Sequence, residues 1–133
     1  MNNNIRNCKN LCGNQLLNKR SIYCSNSCQQ EFKNKIKIQE WLNGTWDGSG
    51  GKYGLSNTIR TYLLKKNNFS CAECGWNKKN PKTGVSPLQI EHKDGNWLNN
   101  SPENLTVLCP NCHSLTETFG SLNKGNGRTY RYN

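Results

Sequence analysis

The fold is decided by residues 88–115, LQIEHKDGNWLNNSPENLTVLCPNCHSL. Apolar and polar residues alternate over 88–92, which predicts a short strand ending at His92. Turn-forming residues and a polar loop follow, and a second strand is predicted over 105–108. A helix is expected from the next cysteine pair through Phe119, with Gly120 as its C-terminal stop. The predicted order is therefore strand, loop, strand and helix.

Eight cysteines form four close pairs, which are Cys8/Cys12, Cys24/Cys28, Cys71/Cys74 and Cys109/Cys112. This spacing predicts two structural zinc sites of four cysteines each. A disulfide framework is the alternative, and it is less favoured because the N-terminus has no apolar secretory segment. The stretch from Cys109 to His113 also matches a c-type haem attachment pattern, but that reading requires export and a distal ligand.

The composition excludes a large single hydrophobic core. Apolar residues make up 32% of the 133 residues, compared with about 45–50% in an average globular domain. The chain has room for one domain or two very small ones. No run approaches the roughly 18 apolar residues of a membrane span. Together with the absence of a secretory segment, this predicts a cytoplasmic protein.

Zinc bound by Cys71, Cys74, Cys109 and Cys112 would tie the entry of the first strand to the start of the helix. That closure would bring together His92 and His113, which are the two histidines of the chain. Glu91 and Asn104 would lie beside them.

The stretches 90–96, 103–105 and 108–113 strongly resemble the HNH endonucleases, which have the ββα-metal nuclease fold. The three family letters fall on His92, Asn104 and His113, and the resemblance covers about residues 69–119. The flanking cysteine pairs resemble those of HNH proteins with a structural zinc. The additional N-terminal four-cysteine unit is similar to that of phage-encoded HNH proteins. The resemblance implies a small α+β fold, in which a zinc finger with a helix precedes a zinc-stabilised HNH domain.

The resemblance also implies roles in the hydrolysis of DNA phosphodiester bonds. His92 would be the general base, for which a neutral imidazole is suited near pH 7. Asn104 would orient the His92 ring. His113 and Glu91 would hold a catalytic divalent cation, Mg²⁺ or Mn²⁺, which stabilises charge on the phosphate and the leaving oxygen. Because the family more often has Asp or His where this chain has Glu91, Asp94 is the alternative carboxylate ligand.

Four segments are expected along the chain. Residues 1–42 form the N-terminal zinc-finger unit, in which Ser25 or Ser27 caps the helix. Residues 43–54 form a Gly-rich linker. Residues 55–122 form the nuclease domain, in which Ser56 caps a helix that runs to about Lys66. Residues 123–133 form a basic tail.

The charge points to a polyanionic partner. Eighteen Lys and Arg residues against eight Asp and Glu give a formal net charge of +10. Nucleic acid is the simplest partner of a basic chain without membrane features. Candidate DNA contacts are the basic residues Lys52, Arg60, Lys65, Lys66, Lys78, Lys79, Lys124, Arg128 and Arg131.

Two other functions compete with a DNA endonuclease. The first is a non-catalytic zinc module that binds nucleic acid, in which the HNH residues are structural. The second is an assembly adaptor with a protein partner. The sequence leaves open the target site, the choice between nicking and double-strand cutting, and the oligomeric state.

Overall fold

A computed structural model describes residues 5–51 and 54–126 of the chain. The chain divides into two compact units, Met1–Glu40 and Trp41–Asn133. The helices are α1 (Asn26–Leu42), α2 (Asn57–Lys66) and α3 (Pro110–Ser114), the strands are β1 (Gln89–His92) and β2 (Leu105–Leu108), and single 3-10 turns cover Pro102–Asn104 and Gly120–Leu122. This is the small α+β structure that the sequence predicts.

The first unit has a very small interior. Among residues 5–40, Cys8 and Asn10 are the buried residues. The amide of Asn10 donates to Glu31 of α1 at 3.1 Å and accepts from Lys35 at 3.0 Å. Of the two predicted caps, Ser25 is the one that caps α1, because its hydroxyl oxygen accepts from the backbone N–H of Cys28 at 3.1 Å. So little apolar burial cannot hold a unit of this size together, and a bound metal is the expected source of its stability.

The second unit is built around an antiparallel pair of strands. In the β1–β2 register, Ile90 lies opposite Val107 and Glu91 opposite Thr106. Val107 is fully buried, as is Ile59 of α2, which packs against β2. The side chain of Ser56 accepts from the backbone N–H of Thr58 at 3.2 Å. The predicted cap and extent of α2 are therefore confirmed.

The helix after β2 is shorter than predicted. The expectation that it runs through Phe119 is wrong, because α3 ends at Ser114. Leu115 is 82% exposed, so it does not contribute to the buried helix face that the prediction assumed. The Thr116 hydroxyl donates to the carbonyl of His113 at 2.9 Å, and this bond satisfies a carbonyl at the helix end. Gly120 begins a 3-10 turn rather than ending a helix.

The described residues of the Gly-rich stretch make close backbone contacts within the second unit. The backbone N–H of Gly50 donates to Gly54 at 2.7 Å, and Ser49 forms a β-bridge with Leu55. Gly48 has a positive φ of +78° and lies against the ring of Trp41, where a Cβ would come within 2.9 Å.

No helix in the described residues is long and apolar enough to cross a membrane.

Candidate active site and metal centres

The second unit brings its four cysteines together. The Sγ atoms of Cys71, Cys74, Cys109 and Cys112 all lie within 4.8 Å of one another. The backbone N–H of Ala72 donates to the Val107 carbonyl at 2.8 Å, which ties the first cysteine pair to β2. The second pair belongs to the start of α3. The cluster therefore joins the segment before β1 to the start of α3, as a shared zinc requires.

The thiols of this cluster titrate as interacting groups. Burial raises the pKa of Cys71, but backbone N–H groups of Cys74, Cys109 and Glu73 outweigh it and lower the pKa to about 6. The thiols of Cys109 and Cys74 raise the pKa of Cys112 to about 12. Four thiolates so close together repel one another unless a cation compensates their charge. Four sulfur donors at this spacing fit Zn²⁺.

The first unit contains the second predicted cluster. The Sγ atoms of Cys8, Cys12, Cys24 and Cys28 also lie within 4.8 Å of one another. The side-chain amide of Asn14 donates to Cys24 Sγ at 3.5 Å. This hydrogen bond is the largest of the causes that lower the pKa of Cys24 to about 6. Asn14 belongs to no sequence motif that would have identified it as a residue of this site.

His92 ends β1 and is held by Asn100. Its Nε2 lies 2.7 Å from Oδ1 of Asn100, a residue that is 5% exposed. An amide oxygen can only accept, so the neutral ring carries its proton on Nε2 and leaves Nδ1 with a free lone pair. Within the described part of the chain, Nδ1 has no hydrogen-bond partner. Sequence reasoning missed Asn100, because one asparagine among several in a polar loop has no distinguishing signal.

Glu91 and His113 meet at the other face of β1. Glu91 Oε2 lies 2.5 Å from His113 Nδ1, and Glu91 is 8% exposed. His113 Nδ1 is buried, yet this contact does not have the geometry of a hydrogen bond. The carboxylate oxygen of Glu91 and the imidazole nitrogen of His113 converge without a hydrogen bond between them. Both atoms are of the kinds that bind metal ions, so they fit a pair of metal ligands. Carboxylate and imidazole suit Mn²⁺, and carboxylate suits Mg²⁺.

Asn104 contacts the loop after β1. Its side-chain amide donates to Asp94 Oδ1 at 2.9 Å and to the Asn99 carbonyl at 2.7 Å. Its Oδ1 accepts from the backbone N–H of Asp94 at 3.1 Å. These hydrogen bonds of Asn104 fix the loop that carries Asn100, whereas Asn100 itself contacts the His92 ring.

Asp94 is occupied within the same loop. Its Oδ2 accepts from Asn99 at 2.7 Å, and its Oδ1 accepts from the Asn96 backbone at 2.8 Å as well as from Asn104. The Asn99 amide is the largest cause that lowers the pKa of Asp94. Both oxygens thus stabilise the turn, which leaves Glu91 as the better-placed carboxylate beside His113.

A cleft of about 310 Å³ opens beside Glu91. It is lined by Lys93, Thr106, Thr116 and Thr118 among others. Through this cleft, solutes can approach the face of the hairpin on which Glu91 lies.

The predicted DNA-contact residues lie on different parts of the second unit. Arg60, Lys65 and Lys66 are exposed on α2, and Lys78, Lys79 and Lys124 are exposed in loops. Lys52, Arg128 and Arg131 lie outside the described residues.

These features define a class of protein: a small α+β chain with two four-cysteine clusters and a histidine–carboxylate site on a β-hairpin followed by a helix. Comparison with known proteins agrees with this class. Over 98 residues, 72% of its length, the chain is 41% identical to the H-N-H endonuclease F-TflIV of Escherichia phage T5. Over 97 residues, 71% of its length, it is 30% identical to the Zorya protein ZorE of Escherichia coli.

The chain spans 40% of the phage protein and 26% of ZorE. Neither a protein-family model nor a solved structure matches it significantly. The phage relative confirms the predicted resemblance, and the chain is a relative of phage-type HNH endonucleases.

Proposed function

We propose that this protein is a metal-dependent HNH endonuclease that hydrolyses phosphodiester bonds in DNA. One observation carries the proposal. His92, with an unpartnered Nδ1, directly follows Glu91, whose carboxylate meets the orphaned Nδ1 of His113. The proposed base and one cation ligand therefore lie at adjacent positions of β1, and the second cation ligand lies on α3. The similarity to the phage endonuclease supports the same activity.

His92 is the general base in this proposal. Asn100 Oδ1 accepts a hydrogen bond from Nε2–H and so orients the ring, and Nδ1 takes the proton of the attacking water. The water oxygen bonds to phosphorus, and the bond from phosphorus to the leaving 3′ oxygen breaks. A positioned neutral imidazole is a suitable general base for this step. Asn104 acts through the loop, because it fixes the segment on which Asn100 lies.

Glu91 and His113 would hold the catalytic divalent cation. When bound, Mg²⁺ or Mn²⁺ supplies stabilisation of the charge that develops on the phosphate and the leaving oxygen. Burial of the Glu91 carboxylate is costly unless its oxygens find partners. A cation in this position would supply one.

The two four-cysteine clusters would each hold a structural Zn²⁺. The zinc-finger unit (1–42), linker (43–54), nuclease domain (55–122) and basic tail (123–133) complete the proposed organisation. The basic residues of α2 and of the exposed loops would contact DNA phosphates and make binding salt-dependent. The phage relative supports the further proposal of action in the cytoplasm of a host cell.

A zinc-binding module that binds nucleic acid without cleaving it is the second candidate. The net charge of +10 and the two cysteine clusters favour it, because neither depends on the histidines. It predicts DNA binding that is indifferent to the loss of His92.

Cleavage of supercoiled plasmid with Mg²⁺ or Mn²⁺ separates the two candidates. Wild type is compared with His92→Ala and with a control, Glu103→Ala, whose side chain is exposed on the connection between the strands. Loss of a general base costs about 10²- to 10⁴-fold in rate. The nuclease proposal expects nicking by wild type and the control, strongly reduced nicking by His92→Ala, and equal DNA binding by all three. No nicking by wild type, with equal and salt-dependent binding by all three, would favour the binding module.

A further inference from the structure

Residues 116–123 return across the proposed site after α3 ends, and we name them the return segment. Three of its side chains contact three different parts of that site. Thr118 contacts Glu91, Phe119 contacts His113, and Asn123 contacts Gly95 in the turn after His92. The early end of α3 makes these contacts possible, because a continued helix would carry the same residues in another direction.

Thr118 determines how the Glu91 carboxylate is presented. Its hydroxyl donates to Oε1 at 3.2 Å, while Oε2 of the same carboxylate lies 2.5 Å from His113 Nδ1. A carboxylate can rotate about its last bond and exchange its two oxygens. A donor fixed on one oxygen opposes that rotation. The Thr118 hydroxyl therefore keeps Oε2 on the side of His113.

Phe119 packs against the proposed partner ligand, His113. Its ring meets the His113 imidazole edge to face, with centroids 5.2 Å apart and an interplanar angle of 88°. Such contacts are favourable only over a limited range of ring orientations. The contact therefore restricts the plane of the imidazole whose Nδ1 lies beside Glu91.

Asn123 anchors the far end of the return segment. Its side-chain amide donates to the Gly95 carbonyl at 2.8 Å. Gly95 has a positive φ of +73°, and a Cβ there would overlap Asn123 and come within 2.9 Å of Thr118. The segment and the turn after His92 are therefore closely packed.

We propose that the return segment positions the cation ligands, and that Thr118 is the positioning residue for Glu91. This inference rests on the proposed function, because it assigns Glu91 and His113 to a divalent cation. Thr118 touches neither substrate nor cation in this proposal; it acts through the carboxylate. Loss of such an outer contact weakens metal binding by about 10- to 100-fold.

The test measures Mn²⁺ binding by calorimetry to the full zinc-loaded chain in the absence of DNA. Thr118→Val removes the hydroxyl at nearly constant shape, and Thr118→Ser restores it. Thr106→Val is the matched control, because Thr106 lines the same cleft opposite Glu91 but donates to no carboxylate in the described residues. Glu91→Gln gives the affinity that remains when the ligand itself is lost. Circular dichroism and zinc content verify that each variant is folded.

We expect Thr118→Val to raise the Kd for Mn²⁺ by about tenfold or more, and Thr118→Ser and Thr106→Val to stay near wild type. The proposal is overturned if Thr118→Val binds Mn²⁺ as wild type does while Glu91→Gln does not; the cation site itself then stands. It is also overturned if Thr118→Ser is as weak as Thr118→Val, because the hydroxyl is then not the cause. If wild type and Glu91→Gln bind Mn²⁺ equally, the assigned cation site fails together with the positioning role.

Discussion

Asn100 connects the proposed general base to the interior of the second unit. Its Oδ1 lies 2.7 Å from Nε2 of His92, and its backbone carbonyl accepts from Nε1 of Trp41 at 2.7 Å. Trp41 is 2% exposed, so this hydrogen bond joins Asn100 to a side chain of the interior. The orientation of a half-buried imidazole thus depends on a residue that is fixed to the core by its backbone.

Removal of the Asn100 side chain should reduce cleavage without reducing DNA affinity. In Asn100→Ala, the His92 ring loses the acceptor that selects its tautomer, and we expect the nicking rate to fall by about 10- to 100-fold, as for other lost outer contacts. Asn100→Asp keeps an oxygen at this position and should retain more activity than Asn100→Ala. Single-turnover nicking at saturating protein measures the effect. Wild-type rates in Asn100→Ala would contradict the role of this residue.

The sequence was most informative where local chemistry decides the structure. The strands ending at His92 and Leu108, the caps Ser25 and Ser56, and both cysteine clusters follow from spacing and side-chain type. These features depend on residues close in sequence or on the coordination preference of one metal.

The remaining parts of the site depend on loop geometry. Asn100, rather than Asn104, contacts the His92 ring. The loop contains several asparagines, and nothing in the sequence indicates which of them reaches the ring. Thr118 reaches Glu91 because the chain leaves the helix after Ser114. Periodicity does not encode where a short helix ends when its stabilisation comes from tertiary contacts.

Replacement of Cys109 should unfold the second unit. Cys109 is 3% exposed and packs with Cys71 and Leu108, and its sulfur accepts from the Cys112 backbone at 3.4 Å. Cys109→Ser should lower the bound zinc by about one ion per chain and abolish the cooperative unfolding of this unit, because metal binding supplies folding free energy. Zinc content and near-ultraviolet circular dichroism measure both effects. Cys12→Ser is the control, since it should release the other zinc and leave the second unit folded. A folded, active Cys109→Ser protein would refute the zinc assignment.

Asp94 should stabilise the turn in a pH-dependent manner. Hydrogen bonds from Asn99, the Asn96 backbone and Asn104 hold its pKa below the ordinary value. Because the folded-state pKa is lowered, this stabilisation is complete above the unfolded-state pKa of about 3.9 and disappears as pH falls through the folded-state value. Asp94→Asn should therefore be less stable than wild type at pH 7, and the difference should shrink below about pH 4. Chemical denaturation of samples with verified zinc content measures the difference. A gap that widens in acid would contradict the sign.

Gly95→Ala should destabilise the turn after His92 through two separable effects. A φ of +73° is strained for alanine, at a cost of about 1–3 kcal/mol, and the new Cβ would overlap Asn123. Gly84→Ala isolates the first effect, because Gly84 has a φ of +68° and no atom lies within 4 Å of the position that its Cβ would take. We expect Gly95→Ala to lower the free energy of unfolding more than Gly84→Ala does. Adding Asn123→Ala should recover part of the excess, since it removes the overlapping side chain. Equal losses in the two glycine variants, measured by denaturant unfolding, would show that the return segment does not press on this turn.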